Sequence, residues 1–124
     1  MADTRSIRVK LQIYCGDEIA MGPGKADLLD AIAATGSISA GARAMGMSYR
    51  RAWMLVDTLN RCWDQPVVET FAGGSKQKGA RLSLFGHEVL DSYRSLQDSL
   101  DWKASRGFEQ ELLSLLRDVP LPGK

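Results

Sequence analysis

A chain of 124 residues with 44 % apolar and 25 % charged side chains has the size and mix of one globular domain, not of a disordered tail. No apolar run approaches the roughly 18 residues that a bilayer crossing needs. The opening "MADTRSIRVK" has no apolar stretch behind its charges, so neither a membrane partner nor a secretory signal is expected. Cys15 and Cys62, the two cysteines, are too few for a disulfide framework and lack metal-ligand spacing, which points to a reduced, cytoplasmic setting.

The net charge of +1 hides an asymmetry. Between residues 43 and 81 seven basic residues (Arg43, Arg50, Arg51, Arg61, Lys76, Lys78, Arg81) face three acidic ones (Asp57, Asp64, Glu69). Both flanking segments carry a slight acidic excess. A local basic region on a near-neutral chain fits a polyanion-binding face.

In chain order, Ile7, Val9, Leu11 and Ile13 alternate with Arg8, Lys10, Gln12 and Tyr14, the period-two pattern of a half-buried strand. "CGDEIAMGPG" is turn-rich and separates it from a helix in "KADLLDAIAATGS", where Leu28, Leu29, Ile32 and Ala33 share a face and Gly36 marks the end. Ser37 caps a second helix with Ile38, Ala42 and Met45 on one side. Gly41 and Ala42 are small enough for a close helix crossing, and Gly46 provides the left-handed stop. Ser48 caps a third helix that buries Ala52, Leu55, Val56 and Leu59 and runs to about Trp63. The few residues joining these two helices give helix-turn-helix spacing.

Pro66 ends the helical stretch. "VVETFA" (67–72) and "ARLSL" (80–84) read as two strands joined by "GGSKQKG", with Lys76 and Lys78 at the tip. A hairpin directly after a helix-turn-helix is a wing. Ser83 caps a long fourth helix in which Val89, Tyr93, Leu96 and Leu100 follow a 4-3-4 spacing. That stripe packs either on its own domain or in a dimer seam, and the dimer is the favoured reading. Gly107 is expected to break the helix, with a short final helix in "FEQELLSLL".

The second helix of such a motif enters the DNA major groove with its N-terminal turn nearest the bases. Arg50 and Arg51 occupy that turn, where two cations oppose the helix dipole. Their planar forks match the O6 and N7 atoms of guanine. Ser48 is placed for a phosphate or a base edge, and Tyr49 for the backbone. Arg43, Lys76 and Lys78 would hold phosphates and set register. Trp53 is expected to pack against the second helix, Met45 and Met54 to fill space, and His87 to lie on the surface near the start of the fourth helix. "GGSKQKG" lacks the spacing of a nucleotide-binding loop. No Ser/His/Asp, Cys/His or paired-carboxylate set stands out, so no enzyme, no metal site and no cofactor are expected.

"GSISAGARAMGMSYRRAWMLVDTLN", followed by "VVETFAGGSKQKGARLSLFGHEVLDSY", resembles the N-terminal DNA-binding domain of ModE-type molybdate-responsive regulators. "GSIS", "SYRRAW", the basic wing and "LSLFG" carry the likeness, which covers roughly residues 5–105. The winged domain of LysR-type regulators is similar more distantly. The resemblance implies a homodimer on double-stranded DNA, joined through the long C-terminal helix with help from the first strand. The molybdate-binding domain of that family has no counterpart here, so no molybdate site is expected in this chain. The expected fold is mainly α with a small β-sheet: a winged helix-turn-helix over 1–84, and a helical dimerisation segment over 85–124 in the same structural unit. The alternative is a winged-helix module that binds protein and not DNA.

Overall fold

Residues 4–72, 78–104 and 109–123 are described by a computed structural model. In chain order they form β1 (Ile13–Cys15), β2 (Glu18–Met21), α1 (Pro23–Thr35), α2 (Ile38–Ala44), α3 (Tyr49–Cys62), β3 (Val68–Ala72), β4 (Lys78–Leu82), α4 (Leu84–Ala104) and α5 (Glu109–Ser114). The fold is mainly α with two small antiparallel hairpins, β1–β2 and β3–β4, as the sequence leads one to expect.

The chain divides into two units, Lys10–Arg94 and Met1–Val9 with Ser95–Lys124. The first unit holds the core. Met21, Leu28, Leu29, Ile32, Val56, Leu59 and Val67 are fully enclosed there, and Val89, Leu90 and Tyr93 of α4 close it. The first turns of α4 belong to this core, up to Arg94. In the second unit Arg5 binds the end of α5, donating to the carbonyls of Leu113 (3.0 Å) and Leu116 (3.3 Å). Its Nε also lies 3.3 Å from the Asp118 carboxylate.

The caps are those that residue type dictates. Pro23 opens α1, where its missing N–H is no loss, and Gly36 ends it in the left-handed conformation (φ 85°). Ser37 Oγ accepts from the Ala40 amide at 3.0 Å. Gly46 turns the chain at φ 67°, a value that L side chains resist, and Ser48 Oγ accepts from the Arg51 amide at 3.1 Å. Gly41 lies against α1 so closely that a Cβ would stand 3.0 Å from Ile32 Cγ1 and 3.2 Å from its backbone nitrogen. The small residue is what lets α1 and α2 cross.

Three expectations need correction. The alternation over 7–14 shows in burial, with Val9, Leu11 and Ile13 half-buried and Lys10, Gln12 and Tyr14 exposed. Among the described residues, however, only Ile13–Cys15 of this stretch pair, and their partner is Glu18–Met21, inside the segment expected to be a turn. Ala33 is exposed, and Ala26 takes the place expected for it in the α1 core face. The second strand of the later hairpin lies two residues earlier than expected, with Val68 opposite Leu82 and Ala72 opposite Lys78. Leu84 is thereby released to start α4 and is 90 % exposed.

Ser83 and Gly86 join that hairpin to α4. Ser83 Oγ accepts from the Gly86 amide (2.8 Å) and donates to the Pro66 carbonyl (2.6 Å), while the Ser83 amide donates to Val67 O (2.9 Å). A Cβ on Gly86 would fall 2.2 Å from that same Val67 oxygen. Asn60 makes the matching link from α3. Its Oδ1 accepts from the amides of Val67 (2.8 Å) and Val68 (3.1 Å), and its Nδ2 donates to Val68 O (3.1 Å).

Candidate nucleic-acid interface

Because α2 stops at Gly46 and α3 restarts at Ser48, the first turn of α3 stands at the surface. Ser48, Tyr49, Arg50 and Arg51 are all exposed, as is Arg43 in the last turn of α2. Along α3 the opposite stripe, Ala52, Val56 and Leu59, is buried. The helix is anchored by one face and presents its cationic start to solvent.

A cleft of about 610 Å³ opens between the α2–α3 pair and the β3–β4 hairpin. Arg43, Tyr49 and Trp53 line one wall, and Thr70, Phe71 and Lys78 the other. Three of the expected contact residues, Arg43, Tyr49 and Lys78, are thus brought round one opening. Ser48, Arg50 and Arg51 are exposed outside its lining, and Lys76 lies outside the described residues. Lys78 was expected at the hairpin tip and is instead the first residue of β4.

The hydroxyls of this surface are partly committed. Ser48 Oγ accepts the cap bond from Arg51, which leaves its proton free to donate. The Trp53 indole N–H donates to the Tyr49 hydroxyl, so Tyr49 also retains its proton for a further acceptor. Trp53, expected to pack on α2, remains 39 % exposed on the cleft. Phe71 was not anticipated. Its ring lies across Gly79, where a Cβ would stand 2.4 Å from Cε2, and the Arg81 guanidinium sits over it, 5.0 Å from the centroid. The sequence signal was an aromatic side chain in a basic hairpin, a pairing common on nucleic-acid surfaces.

The cations fall into two groups. Arg61 pairs with Asp57 (2.9 Å) and Glu18 (3.5 Å), Arg81 with Glu69 (3.3 Å), and Arg94 with Asp27 (2.9 Å) and Asp30 (2.7 Å). The hydrogen bond and charge of Asp57 raise the Arg61 pKa still further. Among the described residues no carboxylate lies within ion-pair distance of Arg43, Arg50, Arg51 or Lys78. Lys25 has its pKa lowered by burial, which outweighs the raising effect of Cys62 and Glu18. The cleft offers cations, hydroxyls and aromatic faces, and its described lining holds no Asp, Glu, His or Cys. That chemistry suits binding an extended anion with rings attached.

The four residues of the expected dimer seam divide by burial within the chain. Val89 and Tyr93 are 7 % and 2 % exposed within the chain's own core, and the Tyr93 hydroxyl donates to Leu11 O at 2.8 Å. Leu96 is 46 % exposed and Leu100 half-buried. His87 is exposed at the start of α4, as expected. No helix among the described residues is long and apolar enough to cross a membrane.

No protein-family model matches the chain. Several curated proteins are similar over part of it. The molybdenum-pterin-binding protein MopA of Rhodobacter capsulatus is 38 % identical over 80 residues, 64 % of this chain and 30 % of that protein. The transcriptional regulator ModE of Yersinia pestis is 32 % identical over 100 residues, 81 % of this chain and 35 % of that protein. The DNA-binding transcriptional dual regulator ModE of Escherichia coli (strain K12) is 37 % identical over 71 residues, 57 % and 27 % respectively. The chain therefore spans about a third of the length of the curated relatives it matches. Over the stretch they share, it is related to ModE regulators and molybdenum-pterin-binding proteins.

Proposed function

We propose that the chain is a sequence-specific DNA-binding transcriptional regulator that acts as a homodimer. In this reading α3 enters the major groove from Ser48 onward, with Arg50 and Arg51 at base edges. The β3–β4 hairpin is the wing, and Lys78, Lys76 and Arg43 rest on phosphates. The observation that carries the reading is the arrangement of cations. Arg43, from the helix pair, and Lys78, from the hairpin, line one cleft, and beside it two exposed arginines start α3. Similarity to a protein named a DNA-binding transcriptional dual regulator, and to another named a transcriptional regulator, supports it. DNA binding and transcriptional regulation are the properties of those relatives carried over. Leu96 and Leu100 on the distal part of α4 are the proposed dimer contacts. A two-fold pair of such helices would read half-sites spaced by one helical turn, ~34 Å, or a multiple of it.

The test is binding to promoter fragments, followed by fluorescence anisotropy over a range of salt concentrations. Lys78→Ala is expected to weaken binding to all sequences alike and to flatten the log–log salt slope by about one unit. Arg50→Ala is expected to lose about 1–3 kcal/mol of discrimination at one base position. If both variants bind like the parent, the surface is not a DNA interface, and the protein-binding alternative replaces it.

A further inference from the structure

Cys15 and Cys62, far apart in the sequence, are brought to the same end of α3 in the fold. Cys15 ends β1 and pairs across the hairpin with Glu18. The Glu18 carboxylate receives Arg61 at 3.5 Å, and Arg61 directly precedes Cys62 at the end of α3. On the other side of Cys62, the Trp63 indole donates to Ala20 O of β2 at 2.9 Å. Both neighbours of Cys62 thus grip the β1–β2 hairpin that carries Cys15, and Cys15 is near enough to help raise the Cys62 pKa, after burial. Both are free thiols, Cys15 exposed and Cys62 half-buried. Nothing in the proposed DNA surface uses them: they sit at the opposite end of α3 from Arg50 and Arg51.

We infer that Cys15 and Cys62 form a reversible intrachain disulfide when the protein meets a hydroperoxide. An exposed thiol beside a second, sheltered one is the arrangement of an attacking and a resolving cysteine. Cys15 is the attacking residue because it is open to solvent. Cys62 has its pKa raised, first by burial and then by Cys15 itself, and so stays a thiol until it resolves. The Cys15 thiolate attacks the peroxide oxygen; the O–O bond breaks, water leaves after protonation, and Cys15 becomes a sulfenic acid. The Cys62 sulfur then attacks the Cys15 sulfur and expels hydroxide, which takes up the Cys62 proton. Two thiols lose two electrons and two protons, and hydrogen peroxide becomes two waters. A dithiol reverses the bond by exchange. The link ties the β1–β2 hairpin to the end of α3 and closes a loop containing α1, α2 and α3. It restricts the unfolded chain more than the folded one.

The experiment uses the full chain, reduced and then treated with equimolar hydrogen peroxide. The expected product is a monomer two hydrogens lighter, with a peptide joining Cys15 to Cys62 that dithiothreitol releases, and a melting temperature several degrees above that of the reduced chain. Cys15→Ser is expected to give no link and to leave Cys62 open to alkylation after unfolding. Cys62→Ser is expected to accumulate a Cys15 sulfenic acid that dimedone traps. If both thiols of the treated parent remain alkylatable, or if the disulfides join separate chains only, the inference is overturned. The outcome is independent of whether the protein binds DNA.

Discussion

Gly86→Ala separates two effects of opposite sign. Alanine is the better helix former, and inside a helix the exchange is ordinarily worth up to about 1 kcal/mol of stability. At this site the new Cβ would stand 2.2 Å from Val67 O, whereas carbon–oxygen contacts settle at about 3.3 Å or more. The helix start and β3 must therefore part by about 1 Å. That movement stretches the 2.9 Å bond from the Ser83 amide to Val67 O beyond hydrogen-bond reach, and it strains the Ser83 bond to Pro66 O. One lost buried hydrogen bond costs about 1–3 kcal/mol, and overpacking a similar amount. After the helix gain is subtracted, a net loss of about 2–3 kcal/mol is expected, roughly 10 °C in melting temperature for a domain of this size. Urea unfolding followed by far-ultraviolet circular dichroism measures it, the parent and variant keeping the same m-value. Gly24→Ala is the control: a Cβ there meets nothing within 4 Å, and no loss is expected. If Gly86→Ala matches or exceeds the parent in stability, the close approach described here does not exist.

Asn60→Ala removes the acceptor of the amides of buried Val67 and Val68 and the donor to Val68 O; a loss of about 2–3 kcal/mol is expected in the same urea titration, far above that of an exposed polar residue. Gly41→Val should drive a branched side chain into Ile32 and cost about 1–3 kcal/mol or more, read as a lower denaturation midpoint. Tyr93, whose pKa is raised by burial, gives a pH dependence at the alkaline end. The unfolded tyrosine ionises near its ordinary value of 10, and the folded one does so only higher. The stability held at neutral pH is thus lost as pH climbs from that value toward the folded pKa. Tyr93→Phe should flatten this alkaline decline in melting temperature while lowering the value at pH 7 modestly, through loss of the bond to Leu11 O.

Local rules were legible and distant pairings were not. Ser37, Gly46 and Ser48 announce the ends of α2 and α3 because capping is a matter of one residue and its next three neighbours. The core positions of α3 follow from its period for the same reason. β2 escaped notice because "EIAM" is short and sits among glycines, and its strand character comes from docking on α3 through Trp63 and Arg61. The side-chain alternation of residues 9–14 is real, yet a strand also needs a partner for its backbone, which side-chain pattern does not reveal. The α4 stripe had the right period but two possible destinations. Tertiary contact with Leu11 decided for the chain's own core at Val89 and Tyr93, and added Leu90, which the 4-3-4 spacing skipped. The pairing of Arg94 with Asp27 and Asp30, and the anchoring role of Asn60, depend on elements brought together only by folding. Of the candidate site, the residue types at α3 and the hairpin were readable; their meeting round one cleft, and the presence of Phe71 and Trp53 in it, were not.

The base of the β3–β4 hairpin is fixed from outside. Val68 and Leu82 are buried, and the Ala80 amide donates to Gly36 O at 2.8 Å, so the glycine that ends α1 also pins β4. Register is settled there and does not depend on what joins Ala72 to Lys78. Lengthening that connection would add only about 0.6 kcal/mol of closure entropy for each doubling. Evolution or an engineer is therefore free to exchange the connection, its length and its Lys76, without disturbing the body that carries it, and grip on a ligand can be tuned separately from folding.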